Sequence, residues 1–160
     1  MLILNSGGTF NKRYNPISGE LEVPFDNNAL ETILLSYNSN YKLAGVVYKD
    51  SLEIDINDRK VLANIIMEST EDIFVIVHGT DTINITAEFL DAVLDNKIII
   101  LVGSMTPFEV NPIEATFNFG MALGFSKSID KAGVYICMSG HILLWDKIKK
   151  NKSLGKFEIV

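Results

Sequence analysis

The sequence predicts an α/β fold: a three-layer, doubly wound and mostly parallel sheet of the flavodoxin-like type, with helices on both faces. Short apolar runs alternate along the chain with longer segments of helical period. Two of these runs, residues 73–77 and 98–102, are continuously apolar, as is typical of strands buried on both faces. Strand, loop and helix then follow one another repeatedly, which is the order that produces parallel sheets.

The first third of the chain predicts a strand, a flap and a helix. Residues 2–5 form the strand, which ends in the turn Ser6-Gly7-Gly8. The polar, turn-rich segment at about residues 10–25 predicts a mobile loop or β-hairpin flap, because it contains Asn15-Pro16 and Ser18-Gly19. Asp26-Asn27-Asn28 then caps a helix. Its apolar positions are Leu30, Ile33, Leu34 and Tyr37.

The remaining elements alternate regularly. A strand at 44–48 precedes a loop at 49–56 and a helix at 58–69, capped by Asn57 or Asp55. Its apolar face is predicted to contain Val61, Leu62, Ile65 and Ile66. The helix after strand 73–77 has Ala87, Phe89, Leu90, Val93 and Leu94 as its apolar positions. The later elements are strand 98–102, helix 113–125, strand 134–138, a short edge or hairpin strand at 141–145, and a Lys-rich tail.

Length and composition indicate one globular domain over residues 1–160. The chain is 48% hydrophobic and 21% charged, which excludes intrinsic disorder. Its net charge of −6 argues against nucleic-acid binding, and its longest apolar runs are too short to span a membrane. Residues 147–160 concentrate five lysines, which predicts a solvated basic end.

The cysteine and histidine content limits the kinds of site that the chain can form. The single cysteine, Cys137, lies in an apolar run and is predicted to be structural. The two histidines lie outside metal-ligand spacing, so we expect no metal and no cofactor. The chain begins with no basic region or cleavage site, which favours a cytoplasmic location.

Polar segments, three of them containing glycine, follow four of the predicted strands. They cover residues 6–9, 49–52, 78–82 and 103–107. In a doubly wound sheet, ligands bind in the crevice at the carboxyl ends of the strands. The sequence therefore predicts a site at this edge of the sheet.

Threonine is the notable side chain in these segments. Thr9 follows Gly7-Gly8, and Thr80 lies between Gly79 and Asp81. A hydroxyl nucleophile needs a base or a neighbouring cation, and a desolvated lysine can be that base. Each feature taken singly also has an ordinary structural explanation. The glycine pair is typical of a plain turn, and the 79–82 segment is typical of a helix N-cap. Lys150 alone is typical of a solvated lysine.

Four stretches resemble the bacterial-type L-asparaginases and glutaminase-asparaginases, specifically their large N-terminal domain. Ile3-Leu4-Asn5-Ser6-Gly7-Gly8-Thr9-Phe10 resembles the first threonine motif of that family, and Val75-Ile76-Val77-His78-Gly79-Thr80-Asp81-Thr82 resembles the second. Val102-Gly103-Ser104-Met105-Thr106-Pro107 is similar to its strand-four loop, with Phe117-Asn118 at the spacing of the helix that follows. The resemblance spans almost the whole chain.

The resemblance implies a catalytic role for five residues. Thr9 would attack a side-chain amide carbonyl, and Tyr14 in the flap would contact it. Thr80, Asp81 and Lys150 would form a second triad in which lysine activates a threonine hydroxyl or water. Ser51 would hold an α-carboxylate and Asp81 an α-ammonium group. The remaining substrate-binding residues implied are Gly8, Asp50, Gly79, Ser104 and Met105.

Two positions depart from the family pattern. Leu52 stands where many members have a polar residue that helps to hold the α-ammonium, and Thr106 replaces the usual arginine. Members of the family also add a smaller C-terminal domain, through which a partner subunit completes the amino-acid pocket. We therefore expect a weak or altered preference relative to asparagine.

Two functions remain open at this point. The first is an amidohydrolase that acts on a small-molecule amide or amino acid through a threonine nucleophile. The second is a catalytically weak or inactive binding or interaction module that needs a partner chain. A homo-oligomer, a dimer or larger, is expected under both.

Overall fold

A computed structural model describes residues 1–37 and 41–160. In chain order its elements are β1 (Leu2–Gly7), β2 (Arg13–Asn15), β3 (Glu20–Glu22), α1 (Asn28–Ser36), β4 (Lys42–Lys49), α2 (Ile56–Glu68), β5 (Ile73–Val77), α3 (Ile83–Val93), β6 (Ile98–Val102), α4 (Pro112–Ser126), β7 (Gly133–Met138), β8 (His141–Leu144), β9 (Ile148–Asn151) and β10 (Lys156–Ile159). Short 3₁₀ turns occupy Thr9–Asn11, Ser51–Glu53 and Trp145–Lys147.

The central sheet has the strand order β4-β1-β5-β6-β7-β8. The first five strands pair in parallel, and β8 adds to β7 as an antiparallel edge strand. The chain thus starts inside the sheet at β1, moves to β4 on one side and then to β5 on the other. This confirms the predicted doubly wound, flavodoxin-like fold, whose ligand crevice lies where the winding direction changes, here between β1 and β5.

Successive side chains of the central strands enter two separate hydrophobic cores. Ile3, Val75 and Ile100 pack with α1 and α4 on one face of the sheet. Leu4, Ile76 and Leu101 pack with α2 and α3 on the other. This alternation is the period-2 geometry of a strand that is buried on both faces. Truncating one such Ile or Leu to Ala costs about 2–5 kcal/mol of stability.

Helix α2 begins earlier than predicted, and Asp55 is its N-cap. The Asp55 carboxylate accepts hydrogen bonds from the backbone N–H groups of Asn57 and Asp58, and the Asp58 carboxylate accepts one from Asp55 in return. This reciprocal arrangement satisfies donors that a helix start otherwise leaves unpaired. It resolves the choice between Asn57 and Asp55 in favour of Asp55.

Three apolar positions predicted for the helices are exposed, and one of them is Tyr37, the C-cap of α1, at 49%. Val61 on α2 and Val93 near the end of α3 are 46% and 45% exposed. The buried face of α2 includes Arg59 instead, which is hydrogen-bonded to buried Thr86 of α3, whereas Val93 is the last residue of its helix. A polar pair that satisfies itself can occupy the core, and a hydrophobic period does not detect it.

Residues 13–22 form the antiparallel hairpin of β2 and β3 within the predicted flap segment. Its action as a flap stays a prediction. Cys137 on β7 is fully buried, and burial raises the pKa of its thiol to about 12. A thiol held in that protonated form is a poor nucleophile, in keeping with a structural residue.

The C-terminal segment differs from the predicted solvated basic end. It forms the hairpin of β9 and β10, which places Ile148 and Phe157 in the second core. The remaining lysines of the segment, at 147, 149, 152 and 156, are exposed as expected, but Lys150 turns inward. Strand alternation is the cause, because a strand anchored by a buried side chain at 148 points position 150 to the same face.

Candidate active site

Glycines bring three segments into backbone contact where β1 and β5 end. Gly7 and Gly8 adopt φ values of 98° and 77°, which favour glycine. A Cβ atom on Gly8 would lie 2.4 Å from the Cα of Gly79, and one on Gly79 would lie 2.5 Å from the Cβ of Ser51. Side chains at either glycine would separate the segments. The residues that follow, Thr9 and Thr80, are therefore held on adjoining backbones.

Two buried side-chain amides, of Asn5 and Asn11, stabilise the turn that carries Thr9. The Asn11 side-chain amide donates to the Asn5 side-chain oxygen at 2.9 Å and to the Gly7 carbonyl at 2.7 Å. Asn5 accepts a second bond from the Gly7 N–H at 3.0 Å and donates to Asn11 at 3.3 Å. These bonds hold the turn from Gly7 to Asn11 closed on itself. Sequence reasoning missed this pair, because the two residues lie on opposite sides of the turn.

Lys150 joins the two polar residues of the second segment. Its Nζ donates to Thr80 Oγ1 and to Asp81 Oδ1, both at 2.8 Å. The Lys150 side chain is 12% exposed and Thr80 is 3% exposed, so water competes little for the bond between them, whereas the Asp81 side chain is 34% exposed. Asn84 on α3 donates to the backbone oxygen of Ile148 at 2.8 Å and ties β9 to this edge of the sheet. The structure thus brings Lys150 to the adjacent residues Thr80 and Asp81, about seventy positions earlier in the sequence.

Ser51 interlocks with the segment that follows Thr80. Its buried Oγ accepts a hydrogen bond from the Asp81 N–H at 3.3 Å, and its carbonyl oxygen accepts one from Thr82 Oγ1 at 2.7 Å. The turn at Ser51 is capped by Asp50, whose carboxylate accepts from the Leu52 N–H at 3.0 Å. Ser51, Asp81 and the Gly79 backbone are therefore neighbours.

Lys12 reaches across to Asp50 from the start of the hairpin. Its Nζ lies 2.6 Å from Asp50 Oδ2. Partial burial alone would raise the pKa of Asp50, but the hydrogen bonds from Lys12 and Leu52 and the charges of Lys12 and Lys150 lower it overall. Sequence reasoning did not single out Lys12. The signal available was a lysine three residues after Thr9, and nothing in the sequence marks its partner.

The loop after β6 packs against the second threonine segment. A Cβ on Gly103 would lie 2.5 Å from the His78 carbonyl oxygen, so the two backbones touch. The Glu114 carboxylate accepts from the N–H groups of Met105 at 2.9 Å and Thr106 at 3.1 Å. The buried Ser104 hydroxyl is used within the loop, where it donates to the Thr106 carbonyl at 2.7 Å.

A buried chain of hydrogen bonds supports the backbone before Thr80. Arg59 Nε donates to Thr86 Oγ1 at 3.0 Å, and Thr86 lies 2.9 Å from His78 Nε2. His78 Nδ1 lies 2.8 Å from the Gly79 carbonyl oxygen, which can only accept. Burial lowers the pKa of His78 to about 4; the Gly79 carbonyl opposes the shift and the Arg59 charge adds to it. The imidazole is therefore neutral near pH 7, with its proton on Nδ1.

Tyr14 on β2 is a solvent-exposed residue of the hairpin. The Tyr14 side chain is 59% exposed, and its backbone N–H donates to Glu109 at 2.8 Å. Among the described residues, no hydrogen bond links its hydroxyl to Thr9. An ion pair between Arg13 and Asp26 holds the base of the hairpin. The predicted contact of Tyr14 with Thr9 stays a prediction, and it requires the hairpin to approach.

The arrangement suits acyl transfer. It offers a hydroxyl on a tight turn, a second hydroxyl bonded to an amine, and backbone N–H groups beside both. Within residues 1–37 and 41–160, no cluster of three His, Cys, Asp or Glu side chains is placed to hold a metal ion. Nor does any helix in those ranges have the length and apolar character needed to cross a bilayer.

Comparison with known proteins places the chain beside asparaginases. The family described as "Asparaginase, N-terminal" matches residues 1–156. The chain is 27% identical to the L-asparaginase of Thermococcus kodakarensis over 172 aligned residues, which cover 97% of this chain and 48% of that protein. It is 29% identical to the glutaminase-asparaginase of Acinetobacter glutaminasificans over 130 residues, 76% of this chain and 39% of that protein.

Solved structures share the fold. The thermostable L-asparaginase from Thermococcus kodakarensis superimposes with a TM-score of 0.85 at 24% identity, covering 99% of this chain and 50% of that one. The probable cytoplasmic L-asparaginase from Campylobacter jejuni gives 0.78 at 23% identity, with the same coverage. The chain therefore spans about half the length of the relatives that it matches.

Proposed function

The chain belongs to the asparaginase family, and from that premise we propose that it is an amidohydrolase of the asparagine type. It would convert a side-chain amide to a carboxylate and ammonia. The observation that carries the proposal is the contact of Lys150 with both Thr80 and Asp81, beside the turn that bears Thr9. The cytoplasm is the proposed compartment.

Thr9 is the proposed nucleophile. Its hydroxyl oxygen forms a bond to the amide carbon, the carbon–nitrogen bond breaks, and the hydroxyl proton leaves with the nitrogen as ammonia. Water then hydrolyses the resulting ester and restores Thr9. The tight turn at Gly7 and Gly8 supports this role, because it holds the backbone before Thr9 against the backbone before Thr80. The Thr80 backbone N–H is the proposed donor to the oxyanion.

Thr80, Asp81 and Lys150 are the proposed proton-handling group. Lys150 in its neutral form would take a proton from Thr80 or from water, and Asp81 would hold the amine in place and balance its charge. The two 2.8 Å bonds support this assignment, since a base must lie within hydrogen-bond reach of the proton that it removes. Tyr14 would join them when the hairpin approaches Thr9.

Substrate binding is assigned to the neighbouring segments. Ser51 would hold a carboxylate of the substrate, and Gly8 and Gly79 would let the substrate lie close to the backbone. The capped turn at Asp50 supports this, because it fixes Ser51 against the Gly79 backbone. Met105 would border the amide from the loop that Glu114 holds.

An exposed apolar strip supports the proposed homo-oligomer. Val110 just before α4, and Ile113 and Phe117 in its first two turns, are each more than half exposed. Exposed apolar strips of this kind are typical of protein interfaces. A binding or interaction module would use the same strip without any chemistry at Thr9, so activity measurements separate the two functions.

The test is ammonia release from L-asparagine, L-glutamine and simpler amides, with Thr9→Ala and Thr80→Ala variants. We expect Thr9→Ala to lower kcat/KM by about four orders of magnitude or more, as for loss of a nucleophile elsewhere. Substituting exposed Thr32 with Ala is the matched control and leaves the rate unchanged. Turnover that survives both active-site substitutions would refute the threonine mechanism. Absence of activity on every amide would favour the binding module.

A further inference from the structure

Each carboxylate of the site already forms an ion pair with a lysine. Asp50 accepts from Lys12 at 2.6 Å and from the Leu52 N–H at 3.0 Å. Asp81 accepts from Lys150 at 2.8 Å. A substrate ammonium group would have to compete with a lysine at either carboxylate. Leu52, whose side chain is exposed beside them, offers no polar atom.

Hydrogen-bond donors remain available at the same place. A lysine ammonium has three N–H groups, of which Lys12 gives one to Asp50. The Ser51 oxygen accepts from Asp81, so its own O–H is left to donate. These N–H and O–H groups can bind an anion, and each of the two carboxylates beside them is already paired with a lysine.

Lys12 lies between the turn of the proposed nucleophile and the turn of Ser51. Its backbone N–H donates to the Thr9 carbonyl at 3.1 Å, while its Nζ contacts the residue immediately before Ser51. The side chain is 24% exposed, so a ligand can reach the ammonium while water screens it only in part. A bound molecule that spans from Thr9 to Ser51 would pass this ammonium.

We propose that Lys12 binds the carboxylate of the substrate together with Ser51, and that the substrate class is the short monoamides of dicarboxylic acids, without need for an α-ammonium group. Succinamate is the simplest four-carbon case. The amide would lie at Thr9 and the carboxylate at Lys12 and Ser51. This inference rests on the proposed function, which it makes more specific.

Three substrates separate the contributions of the charged groups. Succinamate has the carboxylate, L-asparagine has the carboxylate and the α-ammonium, and butanamide has neither. We expect kcat/KM to be highest for succinamate. In Lys12→Met, KM for succinamate rises about tenfold to hundredfold with kcat little changed, the size expected for losing a hydrogen bond to a charged group. Butanamide shows no comparable rise in KM.

Two further variants control for charge and position. Lys12→Arg keeps the positive charge and is expected to restore most of the succinamate affinity. Lys149→Met removes an exposed lysine from β9, and we expect it to leave KM unchanged. If Lys12 only ties the hairpin to Asp50 as a structural contact, Lys12→Met lowers the melting temperature and changes kcat/KM for all three substrates alike. That result would overturn the proposal, as would a clear preference for L-asparagine that is insensitive to Lys12.

A binding measurement separates this inference from the proposed function. Succinate, the product of succinamate hydrolysis, is titrated calorimetrically into the wild type, Thr9→Ala and Lys12→Met. We expect Thr9→Ala to bind succinate and Lys12→Met to bind it about tenfold or more weakly. Lys12-dependent succinate binding without hydrolysis of any amide would refute the proposed function and leave the anion site standing. Hydrolysis with Lys12-independent succinate binding would refute the anion site alone.

Discussion

The two threonine segments of the site are held very differently. Thr80 is buried, its hydroxyl accepts from Lys150, and the backbone before it rests on the chain of Arg59, Thr86 and His78. Thr9 lies in a turn that leads into an exposed hairpin, and no hydrogen bond to its hydroxyl is found in the described part of the chain. The group proposed to move protons is thus preorganised, whereas the proposed nucleophile is left open to a substrate and to Tyr14.

On the preorganised side, the largest effect is expected at Lys150. Lys150→Met removes the amine that contacts Thr80 and Asp81, and we expect kcat/KM to fall by about 10²–10⁴-fold, the usual contribution of a positioned base. Initial rates of ammonia release measure the effect. Lys149→Met, on the opposite face of the same strand, serves as the control. A loss of similar size in Lys149→Met would mean that the strand, and not the amine, is responsible.

The next effect tests what holds Lys150 in place. Phe157 is buried beneath the β9–β10 hairpin, so Phe157→Ala is expected to lower the free energy of unfolding by about 3–5 kcal/mol and to reduce activity with it. Urea unfolding followed by circular dichroism provides the measurement. Leu154→Ala, at the exposed tip of the same hairpin, should change stability little. Equal losses in the two variants would show that the hairpin is not anchored through the core.

A smaller effect is expected on the free energy of unfolding at low pH, through the protonation of His78. The pKa of His78 is lowered to about 4, below its value in the unfolded chain, so the unfolded state binds the proton first as pH falls. The stability that His78 contributes is present above about pH 6.5 and is lost as pH falls towards 4, by roughly 3 kcal/mol at most. Urea unfolding between these pH values should show a steeper decline for the wild type than for His78→Asn. Parallel declines would contradict a buried neutral imidazole.

The smallest effect is expected in the open segment. Tyr14→Phe should lower kcat by about tenfold with KM nearly unchanged, because the hydroxyl would act only when the hairpin approaches Thr9. Steady-state kinetics provide the measurement. Tyr41→Phe, which lies outside the site, should keep the wild-type rate. An unaltered kcat in Tyr14→Phe would show that this residue has no part in the mechanism. The Thr9 segment would then have even fewer supporting contacts than the Thr80 segment.

The sequence predicts the framework well because its signals are local. The predicted strand bounds 73–77 and 98–102 agree with β5 and β6, since a short apolar run between turn residues is typical of a buried strand. The convergence of the segments after β1, β4, β5 and β6 follows from the rule for ligand crevices in doubly wound sheets. The predicted core positions Val61 and Val93 are wrong. The hydrophobic period does not reveal that Arg59 belongs to the buried face of α2, and Val93 is the last residue of α3.

The sequence by itself determined the fold class, the edge of the sheet where a site forms, and the residue types available there. Local patterns did not show which of those residues meet: the family resemblance implied the contact of Lys150 with Thr80 and Asp81, and only the tertiary structure revealed that of Lys12 with Asp50. Lys150 is separated from Thr80 by seventy positions and Lys12 from Asp50 by thirty-eight, and no periodicity links them. The physical reason is that local patterns report the burial of one segment against water, whereas ion pairs and hydrogen-bond chains depend on how separate segments pack.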